Sequence, residues 1–136
     1  MNILYLLRIK NEVKYIYDTN TLRQGIEKMR NHGYTAIPVI SESGDYIGTI
    51  SEGDFLWHIL RYGEGSLKAQ EDFLIRDIVR DDFMPAVRVT ATAEELVERA
   101  MNQNFVPVVD DRNKFIGIVT RRDIIKYFIE KYAAES

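Results

Sequence analysis

The chain has 136 residues, 46% of them hydrophobic, with a formal net charge of −3. That is enough apolar material for one compact domain or two very small units sharing a core, and it excludes general disorder. The mildly acidic balance lacks the clustered basic surface of a nucleic-acid binder, and the absence of cysteine removes disulfides, thiolate metal sites and a Cys nucleophile.

The first apolar run, Ile3 to Leu7, is only five residues long and is followed at once by Arg8 and Lys10. It is too short for a membrane span and wrongly ordered for a signal peptide, so a soluble cytoplasmic protein with no membrane partner is expected. An extended piece follows at Val13 to Tyr17. Thr21 with Gln24 then makes a capping box, and Leu22, Ile26 and Met29 lie on one helical face behind it. Two short apolar strands, YTAIPVI and YIGTI, flank a turn at Ser41 to Asp45, which predicts a hairpin. A second helix covers Phe55 to Leu60. Residues 61–82, RYGEGSLKAQEDFLIRDIVRDD, read as a linker. Gly63 and Gly65 break the preceding helix, and Ser66 to Val79 is compatible with a short surface helix.

The pattern then recurs. An extended piece at Val87 to Thr90 precedes a capping box of Thr92 with Glu95. Leu96, Val97, Ala100 and Met101 form a helical face, NFVPVVD and FIGIV enclose a turn at Asp110 to Lys114, and a helix runs over Ile124 to Tyr132. Pro38 and Pro107, Gly48 and Gly117, and Asp54 and Asp123 are each 69 positions apart, whereas Thr21 and Thr92 are 71 apart. The order is β-α-β-β-α, twice. This gives an α/β (α+β) fold with a first repeat at 1–62, an inter-repeat linker at 63–82 and a second repeat at 83–136, related by a pseudo-twofold axis. The proline inside the first strand of each pair places that strand at a sheet edge, or its start in irregular backbone.

Each repeat carries Gly-x-x-[Ser/Thr]-x-x-Asp between its last strand and last helix: GTISEGD from Gly48 and GIVTRRD from Gly117. A hydroxyl residue three places before an acid is an N-cap box. A strand end, a glycine and a helix N-terminus also suit a phosphate or sugar, and a carboxylate such as Asp123 can accept hydrogen bonds from adjacent ribose hydroxyls. Both roles fit the same residues.

The doubled unit, with Pro-Val before each hairpin and the box after it, resembles a tandem pair of cystathionine β-synthase (CBS) domains of the stand-alone bacterial or archaeal type, a Bateman module, over roughly residues 13–130. The resemblance implies a regulatory module that binds adenosine compounds (AMP, ADP, ATP, S-adenosylmethionine or cyclic di-AMP) in two composite clefts, and a homodimer. It implies no cofactor beyond that regulatory adenine nucleotide. Carried over, the nucleotide-binding residues are Thr120, Arg121, Arg122 and Asp123 together with Tyr34, Thr35, Ala36, Ile37 and Pro38. A second, weaker cleft takes Ser51, Glu52 and Asp54 with Asn104, Phe105, Val106 and Pro107. Arg121 and Arg122 suit phosphate beside the ribose acid, whereas Glu52 repels it, so one competent site at Thr120 to Asp123 is expected. Phe105 can fill the second adenine slot itself.

His32 and His58 have no further ligands at metal spacing, the five serines include no nucleophile elbow, and Tyr62 to Gly65 lacks a P-loop ending. No metal and no catalysis are expected. Trp57 is expected in the core or an interface. The apolar stripe of the last helix, Ile124, Ile125, Tyr127, Phe128, Ile129 and Tyr132, is wider than one intramolecular face needs. Two functions stand side by side: a non-catalytic sensor of adenine nucleotides that signals to an effector protein, or an interaction scaffold without a nucleotide ligand.

Overall fold

The structure, a computed structural model, describes residues 2–62 and 67–135. Its strands are β1 (Arg8–Ile9), β2 (Ile16–Tyr17), β3 (Ala36–Ile40), β4 (Tyr46–Ser51), β5 (Val87–Arg88), β6 (Phe105–Val109) and β7 (Phe115–Thr120). Its helices are α1 (Leu22–His32), α2 (Glu52–Tyr62), α3 (Leu67–Asp72), α4 (Ala93–Ala100) and α5 (Arg121–Glu135). The chain divides into two compact units, residues 14–83 and residues 1–13 with 84–136. Each contains one β-α-β-β-α repeat, as the sequence predicts.

In the first unit the strand order is β2-β3-β4, with β2 parallel and β4 antiparallel to β3. In the second it is β1-β7-β6-β5, with β5 parallel to β6 and β1 antiparallel to β7. Pro38 and Pro107 therefore sit in interior strands, opposite Thr49 and Ile118, and not at an edge. The parallel neighbours explain this. β2 meets β3 only at Val39 and Ile40, and β5 meets β6 only at Val108 and Val109. At the level of each proline that neighbour asks for no ladder bond, so the missing N–H costs nothing.

The apolar periodicity becomes two separate cores. Ile16, Leu22, Met29, Ile37, Val39, Ile50, Phe55 and Ile75 fill the first; Ile3, Val87, Leu96, Val106, Val108, Val119 and Ile124 dominate the second. Thr21 completes its capping box with Gln24, whose amide reaches the Thr21 hydroxyl at 3.1 Å while the Gln24 side chain accepts from the Thr21 amide at 2.9 Å. Thr92 accepts from the Glu95 amide at 3.1 Å. Val97 and Met101, expected on the buried face of α4, are exposed, so that face is narrower than its apolar pattern.

The expected surface helix between the repeats is only α3, followed by a 3₁₀ turn at Ile75–Asp77. Its expected start at Ser66 and the breakers Gly63 and Gly65 lie outside the described residues. The segment belongs to the first core: Ile75 is fully buried, its amide donates to Asn20 O at 2.8 Å, and Leu22 N donates to Phe73 O at 3.0 Å. Helix α1 makes room with Gly25, where a β-carbon would stand 2.6 Å from Ile75 Cδ1.

Residues 1–13 repeat this arrangement in the second unit. A 3₁₀ turn at Ile3–Tyr5 buries Ile3, and β1 then pairs with β7. The segment leading each copy thus packs with the body of the other copy. The compact units consequently do not coincide with the division 1–62, 63–82 and 83–136 drawn from sequence.

Candidate functional site

In the first unit β4 ends at Ser51 and α2 starts at Glu52. The Glu52 amide donates to Thr35 O at 3.0 Å, which ties the helix start to the residue preceding β3. Asp54 Oδ2 accepts from Ser51 N at 2.8 Å and from Ser51 Oγ at 3.1 Å, and Oδ1 accepts from Arg80 Nε at 2.9 Å. Arg80 also lies over the Phe83 ring, 4.2 Å from its centroid. A polar cavity of about 400 Å³ opens beside this acid, lined among others by Ser51, Asp54, Trp57, Arg61 and Arg80.

The second unit repeats the construction with different partners. The Arg121 amide donates to Asn104 O at 2.9 Å, and the Asp123 amide to Thr120 Oγ1 at 3.1 Å. The Asp123 carboxylate is held by Arg8, with Nε 3.0 Å from Oδ2 and a terminal nitrogen 3.4 Å from Oδ1. This pairing holds its carboxyl below the usual carboxylate range; the Thr120 hydroxyl and the Arg8 and Lys126 charges act in the same direction, against partial burial. The Asp123 side chain is 26% exposed, that of Asp54 only 9%. The acid of the second box is therefore the more accessible to a ligand, while that of the first is covered by its contacts with Ser51 and Arg80.

The arginines following Thr120 divide their work. Arg121 Nε donates to Ala100 O at 2.6 Å and so caps the C-terminal end of α4; Arg122 is exposed. Glu52 does not line the cavity beside Asp54. It borders an apolar groove of about 480 Å³ between α1 and α2 with Ile26, Met29, Phe55 and Leu56. The electrostatic contrast read from Glu52 against two arginines is thus not what separates the boxes. Arg61 and Arg80 bring positive charge to the cavity beside Asp54, and the two acids differ in exposure.

Of the pre-proline residues, Tyr34, Thr35 and Asn104 are exposed, and Ala36 and Phe105 are half-buried. Ile37, Pro38, Val106 and Pro107 are buried, and Ile37 and Val106 belong to the two cores. The buried Gln103 amide donates to Phe105 O at 3.0 Å and fixes the entry to β6. Trp57, expected in the core or an interface, is exposed on α2. His58 is buried against Phe73 and Tyr62, at 4.4 and 4.6 Å between ring centroids. Among the described residues no group of three or more His, Asp or Glu side chains could hold a metal ion.

Sequence reasoning missed Arg8 and Arg80. The signal is present: Ile3-x-x-Leu6-Leu7-Arg8 and Ile75-x-x-Ile78-Val79-Arg80 are the same pattern, 72 positions apart. Each stretch precedes the extended piece that opens the sequence pattern of its repeat, and so falls outside that pattern.

These features define a class: a doubled α+β repeat in which every copy ends a strand in a hydroxyl residue and starts a helix with an arginine-clasped acid. The family model for the CBS domain matches residues 8–61 and 75–130, and the chain belongs to that family. A protein of Methanopyrus kandleri is 29% identical over 117 residues, covering 84% of this chain and 56% of its own length. The chain spans about half the length of that relative, and 45% of a second one from Methanocaldococcus jannaschii. Among solved structures, the CbpB protein of Listeria monocytogenes in complex with c-di-AMP is 26% identical, with complete coverage of both chains and a TM-score of 0.85. CBSX2 in complex with AMP shares the fold at a TM-score of 0.74 and 18% identity, covering 96% of this chain and 98% of its own.

Proposed function

We propose that the chain is a non-catalytic regulatory module that binds an adenine nucleotide of the AMP, ADP, ATP or cyclic di-AMP class. The observation that carries this reading is the Asp123 carboxylate, ionised and partly exposed at the start of α5, with acceptor capacity left over beside Arg8 and the Thr120 hydroxyl. A ribose diol is the natural donor for such a group, and the positive end of the helix dipole favours a nearby phosphate. Family membership and the nucleotide complexes of CbpB and CBSX2 support the same class of ligand. Thr120, Arg122 and Asp123 are the proposed contacts in the second unit. Tyr34, Thr35 and Ala36 are the proposed contacts in the first, where side chains or backbone are accessible. Asp54, already bonded by Ser51 and Arg80, fits the capping role better and marks the weaker site.

The signal passes to an effector protein through a homodimer. Calorimetric titration with AMP, ADP, ATP and cyclic di-AMP tests the reading. One preferred ligand binds saturably, and Asp123→Ala weakens it about ten- to a hundredfold. An unchanged affinity in Asp123→Ala removes the site assignment. No binding of any nucleotide favours the alternative, an interaction scaffold that uses the apolar surfaces of α2 and α5.

A further inference from the structure

Arg8 and Arg80 are not ordinary surface ion-pair partners. Arg8 stands 115 positions from Asp123 and leads the first copy, yet it binds the acid of the second. Arg80 leads the second copy and binds the acid of the first. In both cases the contact is made through Nε, at 3.0 and 2.9 Å. The exchange is therefore reciprocal, and a chance surface pair would not occur twice in equivalent positions.

Main-chain geometry fixes both arginines. Arg8 pairs with Ile118 in the β1–β7 ladder, and Arg80 forms an isolated bridge with Thr49 on β4. The neighbouring strand residue is a glycine each time. A β-carbon on Gly48 would come 2.5 Å from Arg80 O, and one on Gly117 would collide with Arg8 O. These are the glycines that open Gly-x-x-[Ser/Thr]-x-x-Asp. Their absent side chains let the arginine backbone lie against the strand that ends in the box. The glycine and the aspartate of the motif thus serve one device, which seats an arginine and receives its guanidinium.

The chemistry of a ribose-binding acid gives that device a purpose. Such an acid must be ionised and must present its oxygens in a fixed direction. Two carboxylate oxygens offer about four acceptor positions, and a guanidinium fork occupies two of them. Arg8 and the Thr120 hydroxyl leave part of this capacity at Asp123, whose side chain is 26% exposed, whereas Asp54, bonded by Arg80 and by the Ser51 amide and hydroxyl, is only 9% exposed and offers a diol little access.

We infer that Arg8 and Arg80 are positioning residues of the nucleotide sites, each delivered by the leading segment of one repeat to orient the box acid of the other. This rests on the nucleotide reading above. The leading segment is consequently part of the binding apparatus, and loosening it weakens the ligand site.

The test uses the full chain as wild type, Arg8→Lys and Arg8→Gln. AMP and cyclic di-AMP are titrated from neutral pH down through the carboxylate range, and the ligand-free Asp123 carboxyl is followed by NMR. In Arg8→Gln the better nucleotide binds about tenfold more weakly. The pH at which binding is lost also moves up toward the ordinary aspartate value of about 3.9. Arg8→Lys restores most of the affinity, which a merely structural role would not require. Equal affinity and an unmoved acid limb in Arg8→Gln overturn the inference. If the wild type binds neither nucleotide, the functional reading falls, and the carboxyl titration still decides the clasp. A raised Asp123 value in Arg8→Gln then retains Arg8 as the group that sets this acid, and an unmoved one removes it.

Discussion

At Asp123 a guanidinium holds the carboxylate by hydrogen bonds and lowers its pKa, and this has a consequence for stability. The folded-state pKa of Asp123 is depressed, chiefly by the Arg8 hydrogen bond. Its contribution to stability is therefore fully present above the unfolded pKa of about 3.9 and is lost as pH falls through the lower folded value. Because Arg8 is 52% exposed and Asp123 26%, the pair contributes no more than about 1 kcal/mol, and high salt reduces it. Acid unfolding of Asp123→Asn at low salt should lose this small component relative to wild type; superimposable pH profiles would contradict it. The acid, its hydroxyl partner and their repetition were all legible in the sequence. The clasping arginine was not, because a contact across 115 positions has no local periodicity to announce it.

The strand that ends in each box makes room for the leading segment with a residue of its own that has no side chain. Replacing Gly48 by alanine brings a β-carbon 2.5 Å from the Arg80 carbonyl, and replacing Gly117 creates the equivalent collision with Arg8 in backbone at φ 154°. Each substitution is expected to cost about 1–3 kcal/mol in denaturant unfolding. It should also expose the leading segment, read as faster amide exchange at residues 3–9 for Gly117→Ala. Wild-type protection in that variant would show that the segment is not seated by the glycine. The β-α-β-β-α order, both hairpins and the capping residues were readable because periodicity and turn chemistry act locally. The interior placement of Pro38 and Pro107 was not, since it depends on how short the parallel strands β2 and β5 are. Nor was the burial of Ile75, which needs the space left by Gly25 on another element.

Across the whole chain the repeat also governs what remains uncovered. Leu56 and Leu60 on α2 are 58% and 65% exposed, and their equivalents Ile125 and Ile129 on α5 are 52% and 63% exposed. Each pair is spaced i, i+4, which makes a short apolar ridge suited to helix packing. A second copy of the chain is the proposed cover. Wild type should sediment as a dimer, and the double variant Leu60→Glu, Ile129→Glu as a folded monomer; a monomeric wild type would remove this assignment. No described helix is long and apolar enough to cross a membrane, so these ridges are not spans. The apolar excess of the last helix was visible in the sequence, whereas the matching ridge on α2 emerged only with side-chain exposure.

The most direct test of the account is calorimetric titration of the purified chain with AMP, ADP, ATP and cyclic di-AMP beside Asp123→Ala. Saturable binding of one preferred nucleotide, weakened about ten- to a hundredfold in the variant, is the predicted result. Absence of binding with all four, or an affinity indifferent to Asp123, would contradict it and leave the paired boxes as helix caps clasped by arginine.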